Sequence, residues 1–226
     1  MQGLLIDLIG KPEGIIIWQL VYATQFTIYL SLIAFICGGS IAALICFARI
    51  CPSTTAQAIA TAYIWLFQSV PLLMLLFLIG LGVPKLLGID VDPWMAATIS
   101  LLLFTSAYLA EVWRSAFAAV DRGQWEAGYA LGLRFAQIFT QIIFPQAYKI
   151  ALGPTVGFLV QIIKGTSLAY IIGFHDLMLL GKRWANAPVE GSEPFIIFPM
   201  MALIYFCLCY PLTRLSMHLE NKRLTR

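Results

Sequence analysis

Five stretches of this chain, at 15–47, 58–81, 93–113, 142–163 and 195–217, are apolar enough to cross a lipid bilayer as helices, which takes about 20 residues each. That pattern decides the solvent before any motif is read. Of the 226 residues, 61% are hydrophobic and 11% charged, whereas soluble domains carry about a quarter charged residues. One soluble core cannot hide that much apolar surface. Within lipid, each segment must satisfy its own backbone hydrogen bonds, which favours helices. The expected fold class is an all-α membrane protein with about five transmembrane helices, forming a single domain over 1–226. The first stretch exceeds one crossing and is expected to tilt or to run partly along the headgroups. It lacks the basic stretch, short apolar run and small-residue cleavage site of a removed leader, so it is expected to stay as an anchor.

An odd number of spans puts the termini on opposite sides. One set of loops holds Arg49, Arg114, Arg122, Arg134, Lys149, Arg214, Lys222, Arg223 and Arg226. The other holds only Lys11, Lys85, Lys164, Lys182 and Arg183. The richer set belongs on the cytoplasmic side, which puts the N-terminus outside, the C-terminus inside and the loop over 121–141 in the cytoplasm. Trp18, Tyr22, Trp94 and Tyr210 fall near span ends, where amphipathic rings are favoured. The net charge of +3 gives no argument for nucleic acid. The cysteines Cys37, Cys46, Cys51, Cys207 and Cys209 lie in or beside apolar spans without metal-ligand spacing and read as small hydrophobes. No metal site is expected.

The loop over 121–141 is a short polar patch between two apolar spans. Gly123 marks a break after the third span, and a helix is expected from Gln124 to about Phe135. Trp125, Tyr129, Leu133 and Ala136 recur at helical spacing as an apolar stripe, with Glu126, Ala130 and Arg134 on a neighbouring face. Ala127, Gly128 and Gly132 are small enough to let another surface approach closely. Each glycine costs about 1 kcal/mol of helix propensity, so close packing outweighs local helix stability here. A helix lying on lipid headgroups is the competing reading, but it would favour Lys and Arg on its polar face.

The run Glu126-Ala127-Gly128, three residues, Gly132, nine residues, Ile142-Ile143-Phe144-Pro145 closely resembles the cytoplasmic loop of ATP-binding-cassette (ABC) importer permeases. Their pattern is Glu-Ala-Ala, three residues, Gly, nine residues, Ile-x-Leu-Pro. Gly128 replaces the third position and Phe144 replaces Leu. The resemblance implies a type I importer permease fold whose cytoplasmic coupling helix sits in a cleft of the ATPase subunit. Glu126, Ala127, Gly128, Ala130, Gly132 and Arg134 would form the coupling surface, with Gly132 setting the helix–turn geometry and Pro145 closing the motif.

Further segments are similar to permeases of the polar amino-acid group. Phe67-Gln68-Ser69-Val70-Pro71-Leu72 matches a segment that usually carries Arg where Gln68 stands. Ala107-Tyr108 with Glu111 and Arg114, and Lys164-Gly165-Thr166-Ser167-Leu168, match two more. Pro71 lacks an N–H and is expected to kink the second span, whether as a gate or as a passive bend. Glu111 and Arg114 are three apart and can pair on one helix face; an ion pair near the inner mouth is favoured over substrate contact. For an amino acid, Lys164, Thr166 and Ser167 could donate to the carboxylate, and Asp176 or Glu111 could accept from the ammonium. Lys164 can equally snorkel to water. Gln68 removes a guanidinium, which either changes the accepted side chain or reflects an unlike partner subunit.

No stretch reads G-x-x-x-x-G-K-[ST], so ATP and magnesium are expected on a separate subunit, in two copies, and not on this chain. The resemblance further implies a second permease, identical or related, and an extracytoplasmic solute-binding protein delivering an amino acid to outer loops around 81–93 and 174–194. It places the chain in a bacterial cytoplasmic (inner) membrane. Three alternatives stand beside this: a permease for another small solute, a channel or structural subunit, and an intramembrane hydrolase built on Ser167 and His175. The last fails on motif, since Leu168 stands where a glycine is needed and His218 falls at the cytoplasmic end.

Overall fold

The computed structural model describes residues 13–189 and 191–224; Lys11 and Arg226 of the charge comparison lie outside them. Helix α1 runs unbroken over Glu13–Ile50, with Glu13 in its first turn and Arg49 in its last, both complementing the helix dipole. Its buried hydroxyls mostly bond back one turn: Thr24 donates to the Leu20 carbonyl at 3.0 Å and Ser31 to that of Thr27 at 2.7 Å. Polar side chains thus enter an apolar setting without an external partner. Helix α2, Thr54–Ser69, is capped by Ser53.

The second span is not a kinked helix. Val70 and Pro71 are both extended, with ψ of 124° and 139°, and a new helix, α3, covers Leu72–Leu87. A residue before proline is pushed out of the helical region, so Val70 ends α2 outright. The Pro71 carbonyl then accepts from Met74 and Leu75 to start α3. Helix α4 covers Pro93–Ala118, opened by an Asp92 side chain accepting from the Trp94 N–H at 3.1 Å. Helix α5 is Arg122–Ala130.

Helix α6, Phe135–Ile172, changes pitch along its length. A π-helical turn over Ile138–Ile143 precedes Pro145, and a 3-10 stretch over Ser167–Ile172 ends it at Gly173, φ +85°. The wider turn is what lets Pro145 enter: proline cannot donate to the residue four back and its ring crowds that carbonyl. Short α7, Leu177–Ala185, and long α8, Pro194–Leu224, complete the chain. Among the described residues four helices are long and apolar enough to span a membrane, and α2 with α3 supplies a fifth if counted as one broken span. The observed helices overrun the expected spans by several residues because caps, not hydropathy, set their ends.

The chain divides into two compact units, each drawn from three stretches: 1–35, 71–102 and 161–211 in unit 1, and 36–70, 103–160 and 212–226 in unit 2. Unit 1 packs Ile16 and Leu20 of α1 with Leu177 and Ala185 of α7 and Ile197 and Met201 of α8. Trp184 donates to Gln19 at 3.0 Å across that core. Unit 2 packs Val120 with Ile138, Ile143 and Ala147 of α6. Large side chains such as Leu44, Trp65, Leu86 and Phe195 stay more than two-thirds exposed, which suits a lipid or protein environment rather than water.

Gly181 sets the closeness of α7 to α8, because a Cβ there would lie 2.0 Å from Met201 Sδ. Gly181→Val is expected to destabilise the protein by about 1–3 kcal/mol through overpacking, read as a lower Tm of the purified membrane-embedded protein, with Met201→Ala recovering part of the loss.

Candidate functional site

The loop over 121–141 folds into a seated helix whose limits differ from the expected ones. It begins at Arg122, because the Asp121 carboxylate accepts from the Gly123 N–H at 2.7 Å, so Gly123 lies inside the first turn rather than at a break. It ends at Ala130, not near Phe135. Gly132 takes φ +73°, its N–H bonds the Tyr129 carbonyl at 2.9 Å, and the Leu133 N–H reaches back to Gly128 at 3.1 Å. Those two bonds close the helix in a Schellman motif, a turn that a residue with a Cβ adopts only at a cost.

Nine residues are too few for a helix to persist alone in water, where about 12–15 are needed. What holds α5 is a platform of rings. Trp125 stacks on Phe135 at 5.6 Å, Phe135 on Phe139 at 6.1 Å, and Phe139 on Phe117 at 5.4 Å. Leu133 joins this packing, but Tyr129 and Ala136 are exposed, so the four-residue stripe does not form one buried face. The helix ends before Leu133, and the register breaks with it.

Gly128 takes the inward position instead. It is buried, and a Cβ on it would come within 2.8 Å of the Ile138 side chain. The departure from Glu-Ala-Ala at Gly128 thus has a local cause: Ile138, fully buried, occupies the methyl's space. With Gly128 facing in, Glu126, Ala127 and Ala130 are left exposed together, and so are Gly132 and Arg134 beyond the helix end. Arg134 opens α6, where its N–H is held at 2.9 Å by the Gln137 side chain.

Within unit 2, α4 presents two opposed faces. Glu111 and Ser115, one turn apart, line a cavity of about 450 Å³ with Gln68, Tyr108, Ile150 and Pro154. Trp113 and Phe117 lie about 200° further round, at 100° per residue, and line a second cavity of about 400 Å³ with Cys46, Phe47, Phe144 and Tyr148. The second is almost wholly apolar, its one indole N–H being spent on Thr155 at 2.9 Å. In the wall of the first, Glu111 pairs with Arg114, bidentate at 2.5 and 2.9 Å with both side chains about one-third exposed. Fork-to-fork pairing of this kind fixes orientation as well as charge. Gln68 reaches the Ala107 carbonyl at 3.4 Å, three residues ahead of the break at Pro71. The cavity itself went unseen in the sequence; only the pairing of Glu111 with Arg114 and the placement of Gln68 pointed towards it.

The donor and acceptor cluster expected from Lys164, Thr166, Ser167 and Asp176 is not assembled as an open site. Thr166 is buried and donates to the Ile163 carbonyl at 2.8 Å, and Ser167 donates to that of Lys164 at 2.6 Å. Both hydroxyls are used within their own helix. Lys164 is exposed, whereas Asp176 is fully buried as the N-cap of α7.

The geometry agrees with what known proteins resemble. Residues 35–224 match the model of a family described as the binding-protein-dependent transport system inner membrane component. The probable amino-acid ABC transporter permease protein YckA of Bacillus subtilis is 34% identical over 187 residues, 81% of this chain and 80% of that protein. The arginine transport system permease protein ArtQ of the same organism is 33% identical over 164 residues, covering 73% of this chain and 74% of its own length. The backbone superimposes on the crystal structure of an amino acid ABC transporter with histidines at a TM-score of 0.83 and 26% identity, covering 90% of this chain and 93% of that one.

Adding a methyl at Gly128 is expected to lift α5 from α6. Gly128→Ala should speed amide hydrogen exchange across residues 122–130 by about tenfold or more, the equivalent of about 1.4 kcal/mol or more. Gly128→Ala combined with Ile138→Ala should restore most of the protection, a coupling that a double-mutant cycle measures.

Proposed function

The chain belongs to the family of binding-protein-dependent transport-system inner membrane components, and from that premise we propose how this permease subunit of an amino-acid ABC importer works. It is a helical, multi-pass transport subunit, with a fold of the type I importer class. The reading proposed here is that α5 is its coupling helix. Glu126, Ala127 and Ala130 form the face that enters a cleft of the ATPase, and Gly132 and Arg134 shape the turn that returns the motion to α6. The observation that carries this is the exposure of that face on a helix held rigidly from behind by Gly128 and the ring platform.

Two copies of the ATPase subunit would bind the ATP and magnesium. Closure of their dimer would draw two coupling helices together and change which side of the pathway is open, a population shift driven by nucleotide. One chain has too few helices to enclose a pathway, so a second permease, identical or related, completes it. The extracytoplasmic binding protein would deliver solute to the loops around 81–93 and 174–194. The cation asymmetry supports a cytoplasmic C-terminus and an outer N-terminus in a bacterial inner membrane.

For the substrate, the reading is a polar amino acid, since relatives are described as permeases for glutamine, arginine and L-cystine. Gln68 and Glu111 are polar groups in the wall of one cavity of unit 2 and are the pathway residues proposed first. Glu111 is committed on both oxygens to Arg114, so it would hold the cavity wall rather than capture an ammonium.

Glu126 is exposed and has no structural bond to lose, so Glu126→Arg is expected to leave insertion and folding unchanged. It should lower copurification of the ATPase subunit at least severalfold, or leave the complex intact while hydrolysis proceeds without uptake. Cysteine cross-linking from Ala127 or Ala130 to the ATPase tests the same contact directly. Normal uptake by the Glu126→Arg complex, with no cross-link from either position, would remove the assignment.

A further inference from the structure

One buried carboxyl has no place in the transport reading. Asp176 exposes none of its surface. Its Oδ1 accepts from the Leu179 N–H at 2.9 Å, capping α7. Its Oδ2 is also buried and has no hydrogen-bond partner. Three more oxygens of unit 1 are in the same condition: Glu193 Oε2, just ahead of α8, and the hydroxyls of Thr27 in α1 and Tyr205 in α8, of which the two hydroxyls concern this site. Tyr205 lies close enough to feel the Asp176 charge and stands beside the Thr27 and Thr166 hydroxyls, yet it has no well-formed hydrogen bond to any of them.

An ionised carboxyl only accepts hydrogen bonds. Left bare in a buried site it costs far more than a neutral polar group, and no cation compensates it here. The group that faces it is neutral, Tyr205 of α8, which in turn stands beside Thr27 of α1 and Thr166 of α6. On its own segment, His175 is turned to Arg183 at 3.1 Å, and Lys182 lies over the Tyr170 ring at 4.7 Å. Lys164 is exposed to its surroundings. Burial accordingly pushes the Asp176 carboxyl up to about 7, opposed only by backbone N–H groups.

We propose that Asp176 is a proton-binding site. The bound proton sits on Oδ2 and is donated to the Tyr205 hydroxyl, whose own proton turns to Thr27. A single proton thereby satisfies three oxygens that are otherwise orphaned, and it ties the N-terminus of α7 to α1 and α8. This inference rests on the packing of unit 1 and is independent of the coupling reading.

The sign follows from linkage. The folded chain holds this proton more tightly than an unfolded one, so the stability it contributes is complete below about pH 4 and is lost as pH rises through about 7. The test uses the complete transporter in lipid nanodiscs, with Tm measured from about pH 5.5 to about pH 8.5, in sodium chloride and in choline chloride. The wild type should lose several degrees across that range in either salt. Asp176→Asn keeps the shape and supplies an N–H donor. It should flatten the curve, match the wild type at the acid end and exceed it at the alkaline end. Infrared spectra should show a protonated buried carboxyl in the wild type at the acid end that Asp176→Asn removes. Tyr205→Phe should lower Tm mainly at the acid end and shrink the slope. Loss of stability at alkaline pH in Asp176→Asn, failure of that variant to assemble, a sodium-dependent Tm, an unchanged slope in Tyr205→Phe, or a carboxyl band that survives Asp176→Asn would each overturn the proposal.

Discussion

A bilayer offers no partner to a backbone N–H or C=O, and the structure follows from that constraint. It explains why the apolar stretches are helical, and also where they are allowed to stop being α-helical. The ladder is interrupted at places where other protein groups take over. At Pro71 the next helix starts on the proline's own carbonyl. Ahead of Pro145 the backbone widens into a π turn, which makes room for the ring. Outside the apolar spans, at Gly132, two reversed bonds close α5 in the same manner. Each irregularity is a local answer to one unsatisfied group.

The same constraint separates the two faces of α4. Residues about 200° apart around one helix meet different surroundings: Trp113 and Phe117 line one apolar cavity, while Glu111 and Ser115 bring polar groups to the wall of another. A charge on the first face would have no partner. On the second, Glu111 brings its own, and the bidentate bond to Arg114 confines both side chains to one geometry. Gln68 adds an amide to that wall without adding charge.

Much of this was legible in the residues. Span number and the place of the short polar loop over 121–141 follow from hydropathy, because lipid makes that signal strong. Helix limits were less legible: Asp121 and Gly132 set the ends of α5 through caps that hydropathy does not register. The facing of Gly128 was hidden for a different reason. A small residue accommodates any close neighbour, and only the fold shows that this one is Ile138 of the same chain. The polar run from Lys164 to Asp176 misled because sequence gives donors and acceptors without their existing obligations. Thr166 and Ser167 are already bonded within their helix.

Those obligations separate structural polarity from functional polarity in a lipid-bound chain. Thr24, Ser31 and Ser40 bond to carbonyls one turn back and ask nothing of their surroundings. The same residue types do so wherever a helix must carry a hydroxyl through an apolar layer. Thr27 sits among them and is not bonded in this way. Its departure would be a small defect if it stood alone, but Asp176 and Tyr205, from two other helices, depart in the same neighbourhood. Three unmet oxygens from three elements gather around Tyr205. A missing hydrogen shared among them is the smallest addition that settles all three.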